Sequence, residues 1–64
     1  MGIEHYTYRV TWSAEDQEFV GLCSEFPSLS WLVADQHAAF EGIQKLVAEV
    51  VTDMLSNNET PPQP

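Results

Sequence analysis

Apolar and polar residues alternate from His5 to Ser13: Tyr6, Tyr8, Val10 and Trp12 point one way, His5, Thr7, Arg9, Thr11 and Ser13 the other. Aromatic and β-branched residues at a period of two predict a half-buried strand. Ala14-Glu15-Asp16-Gln17 is a polar connector of hairpin length. A second strand is expected over 18–24, with Phe19, Gly21 and Cys23 on one face and Val20 and Leu22 on the other. Which face meets the core stays open from pattern alone. Pro27 ends the ladder, because it lacks an N–H and fixes φ, and it pushes Phe26 toward an extended conformation. Ser30 to Val33 reads as a short third strand containing Trp31.

The period then changes. Asp35 is a good helix N-cap, because its carboxylate can accept from the free N–H groups of the first turn. From Gln36 to about Ser56 one stripe holds Ala39, Phe40, Ile43, Leu46, Val47, Val50, Val51, Met54 and Leu55. The opposite stripe holds His37, Glu41, Gln44, Lys45, Glu49, Thr52 and Asp53. Glu41–Lys45 has the favourable acid-before-base order four residues apart, and Lys45–Glu49 adds a weaker pair. Gly42 costs about 1 kcal/mol relative to alanine; it marks either a close approach to another backbone or, the favoured reading, a tolerated cost. Asn57 and Asn58 suit a helix C-terminus. The proline-rich close, 59–64, reads as an extended tail or the start of a linker, so the expected division is a domain over 1–58 and a tail over 59–64.

The expected fold is therefore α+β: a three-stranded antiparallel meander with one long amphipathic helix on one face, in the order βββα. One sheet face is left without a helix, with room for at least one tryptophan. A helix of about 20 residues is about 30 Å long, whereas a seven-residue strand spans about 23 Å. Val51, Met54 and Leu55 are thus expected to overhang the sheet and to form an oligomer interface in a homodimer.

Size sharpens this expectation. A chain of 64 residues is one domain of marginal stability and often needs a staple. Cys23 is the only cysteine, so no internal disulfide is possible. Cys23, His5 and His37 are too few and too scattered for a structural zinc site, which leaves self-association. The lone thiol fits a reducing cytoplasm. No signal peptide pattern and no apolar run of bilayer length is present.

Ten acidic residues face two basic ones, Arg9 and Lys45, for a formal net charge of −8. A chain without clustered Lys and Arg is not expected to bind a nucleic-acid backbone. Such a charge serves solubility or steers the chain toward a basic partner. No arrangement points to catalysis, a metal or a cofactor. Cys23 lies in a strand with no base near it and reads as core. His37 and Glu41 read as a solvated pair. Glu15, Asp16 and Glu18 cluster at a hairpin tip, which offers no pocket to shift their pKa values for acid–base work. A Mg²⁺-dependent hydrolase built on them is the least favoured class. The same acids, with Glu25, are candidates for docking a basic surface, and Trp31 is a candidate apolar anchor.

The run Phe19-Val-Gly-Leu-Cys-Ser-Glu-Phe-Pro-Ser-Leu-Ser-Trp-Leu-Val33 resembles the HicB family of antitoxins. Val20, Glu25 and Pro27 match the family's V-x-x-x-P-E-x-P strand, Asp35 stands at the helix cap, and Ala39-Phe40 stands where the family has Ala-Leu. Pro61-Pro62-Gln63-Pro64 resembles the P-x-P after its helix. Pro27-Ser28 departs from the usual Pro-Gly, and Val33-Ala34 from the usual glycine before the cap. The resemblance implies a partial RNase H-like βββα unit that homo-oligomerises. It also implies neutralisation of a small basic RNA-cleaving toxin, HicA, by covering its active face. It does not imply RNase H-like catalysis, which needs a carboxylate in mid-strand where this chain has Tyr8, Arg9 and Val10. Family members usually continue past the P-x-P into a further strand and a DNA-binding domain. The expectation is thus a fragment or a short homologue that cannot itself repress an operator. The alternative is a stand-alone oligomerisation or regulatory module of the same fold without a toxin partner.

Overall fold

The computed structural model of the chain describes residues 5–64. Its elements are β1 (Tyr8–Ser13), β2 (Glu18–Cys23), β3 (Ser30–Val33) and α1 (Gln36–Ser56). The strands form one antiparallel sheet in the order β1-β2-β3. This is the α+β, βββα meander that the periodicities predict.

Local chemistry sets each boundary. β1 begins at Tyr8 rather than at His5. The reason lies in its neighbour: the last β1–β2 backbone bond runs from the Ser24 N–H to the Thr7 carbonyl at 2.9 Å. Beyond it two consecutive turns carry the chain away, closed by Phe26 N–H to Cys23 O and Leu29 N–H to Phe26 O. Pro27 takes the second position of the latter turn, which its fixed φ suits. The β1–β2 hairpin is closed by the Ser13 hydroxyl, which donates to Asp16 at 2.9 Å, and by the Gln17 amide, which donates to the Ala14 carbonyl at 2.7 Å. Gln17 has the left-handed φ of 54° that a four-residue loop needs to re-enter a strand.

Asp35 caps α1 as expected, accepting from Ala38 N–H at 2.8 Å. At the far end Asn58 takes a φ of 60°. The Glu59 N–H then bonds Met54 O and the Asn58 N–H bonds Leu55 O, the paired bonds of a Schellman cap. The expected Lys45 pairs do not form among the described residues. Glu41 turns instead toward the helix N-terminus and His37, 3.4 Å away, the direction in which helical side chains lean.

Register decides the question that pattern left open. Tyr8 lies opposite Cys23, Val10 opposite Gly21 and Trp12 opposite Phe19, while Trp31 lies opposite Gly21 and Val33 opposite Phe19. Directly opposed residues share a face, so Phe19, Gly21 and Cys23 face the helix together with Tyr8, Val10, Trp12, Trp31 and Val33. Val20, Leu22 and Leu32 occupy the open face with Arg9 and Thr11. Neither tryptophan lies on the open face.

Two glycines set how closely α1 approaches. A Cβ on Gly21 would strike the Ala39 carbonyl and lie 2.9 Å from Ile43 Cβ. A Cβ on Gly42 would strike the indole of Trp31. Gly42 is therefore not a neutral cost. It is the helix position across which Trp31 lies.

Among the described residues the buried hydrophobics are Cys23, Ala39, Ile43 and Val47. Tyr6, Tyr8, Phe26, Leu29, Leu46 and Val51 pack around them. The helix therefore overhangs less than strand length implies. The 26–29 turn and the Tyr6 segment extend the covered surface past the end of the sheet, with Tyr6 and Phe26 rings edge-on at 5.5 Å. Val51 is consequently part of the chain's own core and Met54 is half-buried, while Leu55 stays 60% exposed. The tail returns to the same region, where the Tyr6 hydroxyl donates to the Pro62 carbonyl at 2.8 Å.

Candidate protein-binding surface

The predicted site residues fall in three places. Glu15 and Asp16 stand on the 14–17 turn, and Glu18 opens β2 beside it, opposite Ser13. Glu25 lies at the other end of the sheet, past Cys23. Trp31 lies on the edge strand β3, opposite Gly21 and against Gly42. Glu15 and Asp16 are exposed and Glu18 is half-buried beside them, and the three share one end of the molecule. Glu25 and Trp31 do not join them.

Glu25 has a structural task. It accepts from the Thr7 backbone N–H at 2.8 Å and from the Thr7 hydroxyl at 3.2 Å, while the Cys23 thiol donates to it at 3.5 Å. Its carboxylate thus pins the entry of β1 to the exit of β2. The Thr7 N–H in particular holds Glu25 below its ordinary value of 4.5. Burial, by contrast, pushes the Cys23 thiol above 9.0, so it stays protonated at neutral pH.

A lowered carboxylate pKa links stability to pH in one direction. The stabilisation is present above the ordinary value of 4.5 and is lost as pH falls through the depressed folded value. Glu25→Gln is accordingly expected to lower the Tm at neutral pH. The gap to wild type should close as the solution is acidified below the carboxylate range. Parallel Tm-against-pH curves, with no convergence at low pH, would contradict this role for Glu25.

Three exposed apolar residues go beyond those predicted from sequence. Trp12, two residues before the acidic turn, is 50% exposed and packs edge-on against Phe19 at 5.0 Å. Phe40, on the first turns of α1, is 40% exposed and meets Tyr8 edge-on at 6.2 Å. Leu32 stands on the open face. The signal for Trp12 was in the sequence: an aromatic at a strand end beside a polar turn has few neighbours to cover it. Trp12 and Phe40 lie on the helix side of the sheet and Leu32 on the other, so the three do not form one continuous apolar patch.

Between the outer side of β1 and the start of α1 runs a groove of about 450 Å³, lined by Tyr8, Arg9, Val10, Gln36, His37 and Phe40. No group of three or more His, Cys, Asp or Glu side chains among the described residues comes together as a metal site requires. No helix among them is long and apolar enough to cross a membrane. Compared with protein-family models, curated proteins and solved structures, the chain matches none.

Proposed function

We propose that this chain is a non-catalytic, cytoplasmic protein-binding module of the HicB antitoxin type. It would neutralise a small basic RNA-cleaving toxin of the HicA type by covering its active face. The observation that carries the reading is the acidic end formed by Glu15, Asp16 and Glu18 on a chain of net charge −8. No charged side chain is buried among the described residues, so the whole negative field is available to steer a cationic partner. The sequence resemblance supplies the identity of that partner.

The test is co-expression with a small basic protein of the HicA type from a neighbouring reading frame, read as rescue of growth and co-purification. Reversing charge with Glu15→Lys and Glu18→Lys should weaken the complex about tenfold or more while leaving the fold intact. No complex and no rescue with the wild-type chain sinks the proposal. The alternative reading, a stand-alone oligomerisation module without a toxin partner, is favoured by one feature, the outer edge of β1, on which no strand of the described residues lies.

A further inference from the structure

That edge has a defined chemistry. The Ser24 N–H bonds the Thr7 carbonyl, so Thr7 turns its backbone groups toward β2. Backbone direction alternates along a strand. Arg9, Thr11 and Ser13 therefore also face β2, and Val10 and Trp12 turn their N–H and C=O groups outward. Among the described residues no strand lies on that side. Of the usual edge protection the six residues of β1, YRVTWS, hold one charge, Arg9, and no proline or lysine.

We infer that the occupant of this edge is a second copy of the same chain, paired antiparallel through β1 with the two-fold axis at Thr11. In this register Val10 of each copy lies opposite Trp12 of the other. Both turn their backbone groups outward, so the two pairs exchange four N–H to O=C bonds and the sheets join into one of six strands. Trp12 then projects beside the partner's Val10 and Tyr8, two of the residues that line the groove. The exposed half of each indole fills the other copy's groove, against Phe40. Plug and groove sit two residues apart on one strand, the self-complementarity that a two-fold interface requires.

Charge favours the same register. Arg9, one of only two cations, falls opposite the partner's Ser13. That hydroxyl already holds the Asp16 carboxylate at 2.9 Å, and Glu18 is its neighbour across the hairpin. Each copy's Arg9 therefore meets the other copy's acidic turn, twice over by symmetry. The helices fit as well. Helix α1 packs more on β2 than on β1, and strands lie about 4.8 Å apart. The two helices would then run about 14 Å apart, beyond direct packing distance, with the aromatic rings between them. This interface differs from the helix-end surface of Val51, Met54 and Leu55, and it requires no toxin.

Sedimentation velocity of the full chain, without any partner and across a micromolar to millimolar series, tests the inference. The wild type should dimerise reversibly. Trp12→Ala should raise the dissociation constant about thirtyfold or more, as loss of a buried aromatic anchor does. Arg9→Glu should also weaken the dimer, and Arg9→Glu with Asp16→Arg should restore it. Circular dichroism establishes that each variant is folded. A wild type that stays monomeric throughout overturns the inference. So does a dimer indifferent to Trp12→Ala and the charge swap, or one abolished by Leu55→Glu alone. Because no toxin is present, these outcomes are independent of the proposed antitoxin activity.

Discussion

Gly21→Ala is expected to destabilise the chain by about 1–2 kcal/mol. The added methyl meets the Ala39 carbonyl and the branched carbon of Ile43, 2.9 Å away. Both belong to the rigid middle of α1, so neither can swing aside and the helix must lift from the sheet. Overpacking of this kind costs about 1–3 kcal/mol. Alanine's smaller loss of backbone entropy returns about 0.5–1 kcal/mol. The clash wins, and for a domain of this size the Tm should fall by about 10 °C. Gly42→Ala makes an informative contrast. There the methyl meets an indole that is 42% exposed and free to turn outward, and the helix gains about 1 kcal/mol of propensity. The two effects nearly cancel. In a Trp31→Ala background the clash is gone, so Gly42→Ala should stabilise by about 1 kcal/mol. Urea denaturation of the four-member cycle measures this coupling. A Gly21→Ala variant as stable as wild type would mean that the helix does not sit as close as described.

These glycines also show where the sequence stops being legible. The period of two before Ser13, the change to 3.6 after Asp35, the Asp35 cap and the asparagine-rich helix end each depend on residues a few positions apart. Those features could be read directly, and they give the βββα order. The role of Gly42 depends on Trp31 reaching it from another element, which periodicity does not reveal. The face of β2 is similar. Phe19-Gly21-Cys23 and Val20-Leu22 are both apolar enough to be core, and only the pairing of Tyr8 with Cys23 settles which one is. The shortened overhang has the same origin, because the Phe26–Leu29 turn folds under the helix instead of away from it. For the surface, the acids of the first hairpin were legible because a turn is local. Glu25 was grouped with them by charge, yet its nearest donor is Thr7, eighteen residues away in sequence. Val10 and Phe40 come to line one groove only once α1 lies beside β1.

Ile43→Ala should have the largest effect of any single truncation, leaving the isolated chain largely unfolded at room temperature. Ile43 is fully buried and sits where α1 crosses Gly21, against Cys23 and Val47. Removing a fully buried isoleucine side chain to alanine costs about 2–5 kcal/mol. At about 0.05–0.15 kcal/mol per residue, a chain of this length holds only about 3–10 kcal/mol in total, and small domains lie toward the low end. Relaxation cannot repair the cavity cheaply. Its floor is a glycine backbone, and the neighbouring core positions are already small. Leu55→Ala removes a side chain of the same size from a 60% exposed position and should cost less than about 0.5 kcal/mol. The comparison isolates burial from hydrophobicity, with circular dichroism and urea titration as the readouts. A second copy that binds only the folded chain adds stability in proportion to RT ln(1 + [L]/Kd). Folded Ile43→Ala should therefore be partly recovered at high protein concentration. Trp12→Ala placed in the same chain should remove that recovery, since it takes away the contact on which the proposed dimer depends.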